Sequence, residues 1–177
     1  MAIPVTLDAA KRQLKVDDAE QDVEIQGFID DAAAWVERYT GHVLVARDVT
    51  QEFTRFNATP LRAWPIEPDA VPIVSYRDAV GNLVDVAGMR LCAATRPARI
   101  IPFPAGGFNA SALPDHTNMI VTVRAGYEGT EEVPGNFRRA MLVLIGAYDA
   151  DREGGEILQT AEATARRLCR DYRAWHL

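Results

Sequence analysis

Three groups of side chains in this 177-residue chain are of the types that perform or support chemistry. The first is a possible nucleophile, acid and base, which occur together as Ser111, Asp115 and His116. Nucleophilic catalysis by such a trio needs a serine on a sharp turn and donors for an oxyanion, and neither motif surrounds these residues. Spacing does not bring His42 or His176 near the trio either. We therefore interpret the histidines as scattered surface residues, and a hydrolase has the weakest support.

The second group is an acidic stretch with five carboxylates in residues 17–24. Carboxylates that converge from a loop can bind a divalent cation, but the spacing and central glycine of an EF-hand loop are missing. The interpretation that we favour is a solvent-exposed acidic face at the start of a helix, stabilised by the helix dipole. This predicted face consists of Asp17, Asp18, Glu20, Asp22, Glu24, Asp30 and Asp31.

The third group is a C-terminal cluster of arginines with aromatic residues. Arginine with tyrosine and tryptophan can grip phosphates and stack on bases, and the same types dominate protein–protein interfaces. A third alternative is an amphipathic helix that packs on its own core. We rank nucleic-acid binding last and leave the other two open. The cluster contains Arg166, Arg167, Leu168, Arg170, Tyr172, Arg173 and Trp175.

Composition excludes several classes of protein. The net charge is -6 and the pI is near 5.1, whereas a general binder of the phosphate backbone needs a basic surface. The two cysteines indicate neither a disulfide framework nor a zinc site, and no glycine-rich phosphate-binding loop precedes the two lysines. We expect no cofactor. The N-terminus does not resemble a signal peptide and the longest apolar run is about half a membrane span, so we expect no membrane association.

Residues 1–42 have a helical pattern. Thr6 is a plausible N-cap for a helix from Leu7 to about Lys15. A second helix is predicted from about Asp18 to Thr40, with Gly41 at its C-terminal capping position.

Residues 43–130 change to the alternating pattern of β-strands. Residues 73–77 and 83–86 flank a glycine-containing turn, which predicts a hairpin. Further strands are predicted around residues 43–55, at 99–101 and at 119–123. Residues 102–118 are rich in proline and glycine, which predicts a long surface loop.

Residues 131–177 return to a helical pattern. A helix that begins at Pro134 and ends near Asp151 is apolar on every side over residues 140–148, so we expect it in the middle of the core. Gly146 would destabilise it unless a neighbouring helix packs closely there. A last helix is predicted over residues 156–177, after a break at Gly154 and Gly155. These patterns predict an α+β fold in a single domain, with a small helical bundle from the N- and C-terminal segments and an inserted β-rich region.

The order of the segments carries a family resemblance over residues 6–153. The helix that ends in Trp35-Val36-Glu37-Arg38-Tyr39-Thr40-Gly41 is followed by Pro72-Ile73-Val74-Ser75-Tyr76, with Asp78 and Gly81. Val123-Arg124-Ala125-Gly126-Tyr127 and Val133-Pro134 come next, ahead of the helix ending Tyr148-Asp149-Ala150-Asp151-Arg152-Glu153. This ordered set resembles the head–tail connector (adaptor) family of long-tailed bacteriophages, prophages and gene transfer agents. Residues 154–177 match no motif of the family.

The resemblance implies a structural protein and not an enzyme. Such connectors form a ring, usually dodecameric, under the portal protein, where they extend the DNA channel and join the capsid to stopper or tail-terminator proteins. Duplex DNA passes through such a ring without specific binding. The implied location is the bacterial cytoplasm during assembly and then the neck of the virion. Within this single connector domain, the expected parts are helical residues 1–42, a β-rich insertion (43–130), a core helix (131–153) and a C-terminal docking helix (154–177).

Two hypotheses extend this resemblance to particular residues. Part of the acidic face would be exposed in the ring, towards the DNA channel, because negative charge keeps the duplex sliding. The arginine cluster of residues 166–175 would dock on the portal. The alternative from another class is a small nucleic-acid-binding or regulatory domain that uses the same arginine cluster.

Overall fold

A computed structural model describes residues 4–54, 59–78, 80–103, 105, 107 and 118–173. The chain divides into two compact units. The first, the helical unit, combines residues 1–45 with residues 127–177, and the second, the β unit, contains residues 46–126. Helices flank a region of antiparallel strands along the chain, which confirms the predicted α+β class.

The first helices of the helical unit are α1 (Leu7–Leu14) and α2 (Asp22–Thr40). Thr6 caps α1 as predicted, since its hydroxyl accepts a hydrogen bond from the Ala9 N–H at 3.2 Å. Gly41 ends α2 in the left-handed conformation, at φ 71°, and its N–H donates to the Glu37 carbonyl at 2.8 Å.

The predicted start of α2 at Asp18 is wrong, because the helix begins at Asp22. The Asp18 carboxylate accepts a hydrogen bond from the Glu20 N–H at 3.1 Å, which closes a local turn. The Lys11 ammonium also donates to the Asp18 carbonyl oxygen. The first carboxylates of the acidic stretch therefore lie in the connection between the helices and not on α2.

Helices α3 (Gly135–Ala150) and α4 (Glu156–Cys169) complete the helical unit. α3 packs against α1, α2 and α4. The last helix is shorter than predicted, since a 3-10 turn at Arg170–Tyr172 follows Cys169. The largest fully buried side chains of this core are Ile25, Ile29, Val36, Leu44, Val133, Phe137, Met141, Leu144 and Ile145.

The expectation that α3 is buried on every side is also wrong. Leu142, Val143 and Gly146 are only half-buried. A Cβ atom added at Gly146 would meet nothing within 4 Å, so no described helix packs closely there. Within the described residues, this apolar side of α3 is open to solvent.

The β unit contains two antiparallel sheets. The strands are β1 (Arg47–Phe53), β2 (Thr59–Pro60), β3 (Ile73–Arg77), β4 (Leu83–Asp85), β5 (Met89–Cys92), β6 (Arg99–Pro102) and β7 (Met119–Ala125). The four-stranded sheet has the order β1-β7-β3-β4 and the three-stranded sheet the order β2-β6-β5.

The predicted hairpin is confirmed by the pairing of β3 with β4. Its turn is organised by Asp78, whose carboxylate accepts hydrogen bonds from the N–H groups of Val80 at 2.9 Å and Asn82 at 2.8 Å. The predicted strands at residues 99–101 and 119–123 correspond to β6 and β7. β2 and β5 were not predicted, and most of the predicted loop at residues 102–118 lies outside the described residues.

Gly146 gives a direct test of the open side of α3. Glycine inside a helix costs roughly 0.5–1 kcal/mol relative to alanine, and an added methyl group meets no obstacle here. We expect Gly146→Ala to raise the free energy of unfolding by about that amount in urea denaturation. Gly41→Ala is the matched control, since its φ of 71° should make alanine destabilising by about 1 kcal/mol. A destabilised Gly146→Ala protein would contradict the open groove.

Candidate interaction surfaces

The residues that first suggested chemistry are not assembled into a site in the part of the chain that the structure describes. No group of three or more histidine, cysteine, aspartate or glutamate side chains there could hold a metal ion. No described helix is long and apolar enough to cross a membrane. Ser111, Asp115, His116 and His176 lie outside the described residues.

The sequence predicted His42 to be a surface residue. That prediction is wrong, because its exposed fraction is only 5 %. Its Nδ1 atom lies 2.7 Å from the Tyr127 hydroxyl, and its ring meets the Phe137 ring edge-on at 5.0 Å between centroids. The Tyr172 ring lies 4.8 Å from that of Phe137 and 6.1 Å from that of His42. His42 therefore belongs to an aromatic cluster that connects the end of α2 with the turn after α4.

The C-terminal cluster is partly anchored by these contacts. Tyr172 packs in the aromatic cluster, and Leu168 is half-buried against the core of the helical unit. The Arg173 guanidinium lies over the Tyr39 ring, 5.4 Å from its centroid. These contacts are those of an amphipathic helix packed on its own core. Trp175 lies outside the described residues.

The remaining arginines of the cluster lie on two different sides of the segment. Arg166 and Arg170 are four residues apart and exposed, and Arg166 pairs with Glu162 at 2.6 Å. Arg167 lies three residues after Thr164 and therefore on the side of α4 that carries Thr160 and Thr164. Arg166 and Arg170 thus form an outer surface, whereas Arg167 lies on the side of α4 that lines the groove with α3.

The acidic face is divided between ion-paired and free carboxylates. Asp22 pairs with Lys11 at 2.6 Å, and Glu24 pairs with Arg152 at 2.6 Å. Asp30 accepts a hydrogen bond from the Gln26 amide at 3.0 Å. Within the acidic face, the exposed carboxylates that have no ion pair in the described residues are Asp17, Asp18, Glu20, Asp30 and Asp31.

A solvent-open groove of about 540 Å³ runs between α3 and α4. Val143, Gly146 and Ala147 line it from α3, and it is open because Gly146 has no side chain. Ile157 lines it from α4 and is 55 % exposed. The lining is completed by Glu156, Thr160, Ala161 and Thr164.

The α4 helix that carries both the groove and the arginines is positioned by Asp151. Its carboxylate accepts hydrogen bonds from the N–H groups of Gly155 at 2.9 Å and Leu158 at 3.2 Å. These bonds stabilise the charged form and hold the pKa of the Asp151 carboxyl below its usual range. Asp151 thus satisfies free N–H groups at the start of α4 across the Gly154-Gly155 break.

Sequence reasoning missed both the groove and the aromatic cluster. The signal for the groove was Gly146 itself, together with alternating threonine and apolar residues on one side of α4. His42 carried no signal, because its partner Tyr127 lies 85 positions later in the chain.

Comparison with known proteins supports the resemblance drawn from the sequence. Residues 4–69 match the model of the phage gp6-like head-tail connector protein family, which confirms the predicted resemblance over that segment. No curated protein matches the chain.

Solved structures share the fold over the whole chain. A chain from the neck of an empty gene transfer agent particle, computed with C6 symmetry, superposes with a TM-score of 0.74. The TM-score is 0.77 for a chain from the virion of a native gene transfer agent particle and 0.76 for one from a native neck computed with C12 symmetry. Each is 18 % identical, and each alignment covers 100 % of this chain and 94 % of the other.

The role of Asp151 predicts a pH-dependent loss of stability. A lowered pKa in the folded state means that the stabilisation is fully present above the unfolded value near 3.8 and is lost as pH falls through the folded pKa. We expect Asp151→Asn to lower Tm at pH 7, and the difference from the wild type to shrink below pH 4. Asp171→Asn, at an exposed site, is the control and should change Tm little. A pH-independent difference would contradict the assignment.

Proposed function

We propose that this chain is a structural head–tail connector subunit that assembles with copies of itself into a ring in the neck of a phage-like particle. The observation that carries the proposal is the shared fold over the whole chain with neck chains of gene transfer agent particles. The match of residues 4–69 to the head-tail connector family supports it independently. The role is structural and not enzymatic, because the matched family and the neck chains are connector and neck proteins.

The ring would lie beneath the portal, extend the DNA channel and join the capsid to a stopper or tail-terminator protein. A dodecamer agrees with the C12 symmetry of one neck structure that the chain resembles. Assembly in the bacterial cytoplasm would precede incorporation into the virion. The full chain would act as a single connector domain, with residues 1–42, 43–130, 131–153 and 154–177 as its parts.

We assign the channel-facing role to the exposed carboxylates of the acidic stretch. Asp17, Asp18 and Glu20 have no ion pair among the described residues, whereas Asp22 and Glu24 are each held by a cation of the same unit. Free carboxylates beside the duplex would repel its phosphates and keep DNA from binding to the wall.

The outer arginines are the proposed portal-docking residues. Arg166 and Arg170 are exposed and share one side of the C-terminal segment. Their ion pairs, with Glu162 at 2.6 Å and with Asp171 at 3.6 Å, are open to solvent and contribute little, so a partner's carboxylates can replace them. Leu168 and Tyr172 support the segment from within, and Trp175 would add to the docking surface. Removing everything after Gly155 is an unsuitable test, since α4 contributes Ala165 and Cys169 to the core.

Substitution of the outer arginines tests portal docking. We expect Arg166→Gln with Arg170→Gln to reduce co-purification with portal-bearing capsids on the order of tenfold, because the charges that complement the partner are lost. Arg12→Gln with Arg38→Gln is the matched control, as it removes two exposed arginines elsewhere in the helical unit. Circular dichroism would verify that both proteins fold.

The outcomes separate the two levels of the proposal. If the arginine variant joins capsids as well as its control does, the docking assignment is wrong and the connector role stands. If the wild-type chain itself does not join portal-bearing capsids, the connector role is wrong.

A further inference from the structure

We infer that the ring contact is made between the outward side of α2 in one copy and the α3–α4 groove of the next copy. Val23 would lie against Gly146 and Ile157, and Asp30 would face Arg139 and Arg167. This inference rests on the proposed function, since a ring of copies needs two different surfaces of the same chain to fit each other.

The apolar part of the contact is indicated by exposure. In the described residues of the helical unit, only two large hydrophobic side chains are exposed, Val23 at 89 % and Ile157 at 55 %. Val23 projects from the first turn of α2, and Ile157 lines the groove. One is thus a protruding side chain and the other belongs to a concave surface.

The shapes of the two surfaces allow helices to approach closely. On α2, Gly27 and Ala34 follow Val23 at positions i+4 and i+11, which lie on the same side of the helix. A Cβ atom added at Gly27 would meet nothing within 4 Å, as at Gly146 in the groove. Small residues on both surfaces shorten the distance at which two helices can pack.

The charged residues of the two surfaces are placed so that they can meet when the apolar residues do. Asp30 lies seven residues after Val23, which is two helical turns or about 10 Å. Arg139 lies seven residues before Gly146, and Arg167 lies ten residues after Ile157. When Val23 occupies the groove with α2 parallel to α4, Asp30 therefore reaches the level of Arg139 and lies about 5 Å along the helix from Arg167, within reach of that long side chain.

The charged partners are available for this contact. Arg139 and Arg167 are exposed, and neither has a carboxylate within ion-pair distance in the described part of the chain. Asp30 likewise has no cationic partner there and accepts only from Gln26. Opposite charges would set the register and direction of the contact, and the apolar residues would exclude water. The channel-facing Asp17, Asp18 and Glu20 are not used by this contact.

Cross-linking of the full chain tests the contact. We would combine Val23→Cys with Gly146→Cys in a Cys92→Ser background and treat the protein, assembled with portal-bearing capsids, with a short bis-maleimide. Burial raises the pKa of the Cys169 thiol to about 11, so that cysteine stays unreactive at neutral pH. A head-to-tail contact joins residue 23 of each copy to residue 146 of the next. We expect a ladder of dimers, trimers and larger species on a denaturing gel, while each single-cysteine variant stays a monomer.

A charge exchange provides the second measurement. Asp30→Arg should reduce the ladder at least about tenfold, because it places three cations together. Adding Arg139→Asp and Arg167→Asp to the same chain should restore it. Asp31→Arg is the matched control and should leave the ladder unchanged.

The results distinguish failure of the contact from failure of the function. If the cysteine variant joins portal-bearing capsids but gives no ladder, or a dimer only, the inferred contact is wrong and the connector role stands. If the chain neither associates with itself nor joins capsids, both the contact and the proposed function are wrong.

Discussion

The packing of α3 against α1, α2 and α4 is the constraint on which the helical unit depends. α1 and α2 belong to residues 1–45, and α3 and α4 belong to residues 127–177. This core therefore forms only when these two segments pack against each other. Phe137, Met141, Leu144 and Ile145 of α3 are fully buried in that meeting. Burial of side chains of this size contributes about 1.5–3 kcal/mol each, far more than any exposed ion pair of the unit.

The same core determines which surfaces are left for partners. Three helices cover α3 on one side, and the side with Val143 and Gly146 stays open as the groove. The aromatic cluster of His42, Tyr127, Phe137 and Tyr172 anchors the turn after α4, so Arg166 and Arg170 lie on an element that is packed against the core. The surfaces that remain for partners are thus those that the core leaves uncovered.

Much of this fold could be predicted from the sequence, because its signals are local. The Thr6 cap, the Gly41 terminus and the hairpin at Asp78 each depend on residues a few positions apart. The start of α2 was predicted wrongly because the Asp18 side chain closes a turn that competes with the helix. The burial of His42 and the open side of α3 were missed because both depend on residues brought together from distant parts of the chain. The acidic and basic groups were recognisable in the sequence, but only the structure divides each into paired and free members.

The pairing of the first and last strands of the β unit has a consequence for folding. β1 and β7 pair antiparallel from Arg47 opposite Ala125 to Phe53 opposite Met119. The chain therefore enters and leaves this unit on adjacent strands, with six residues between Thr40 of α2 and Arg47, and nine between Ala125 and Gly135 of α3. Once that sheet has formed, the 81-residue insertion acts on these helices as a much shorter connection, and the entropy of closing the loop opposes their association less. A longer or shorter β unit should then have little effect on the rate at which α2 packs against α3, provided that β1 and β7 stay paired.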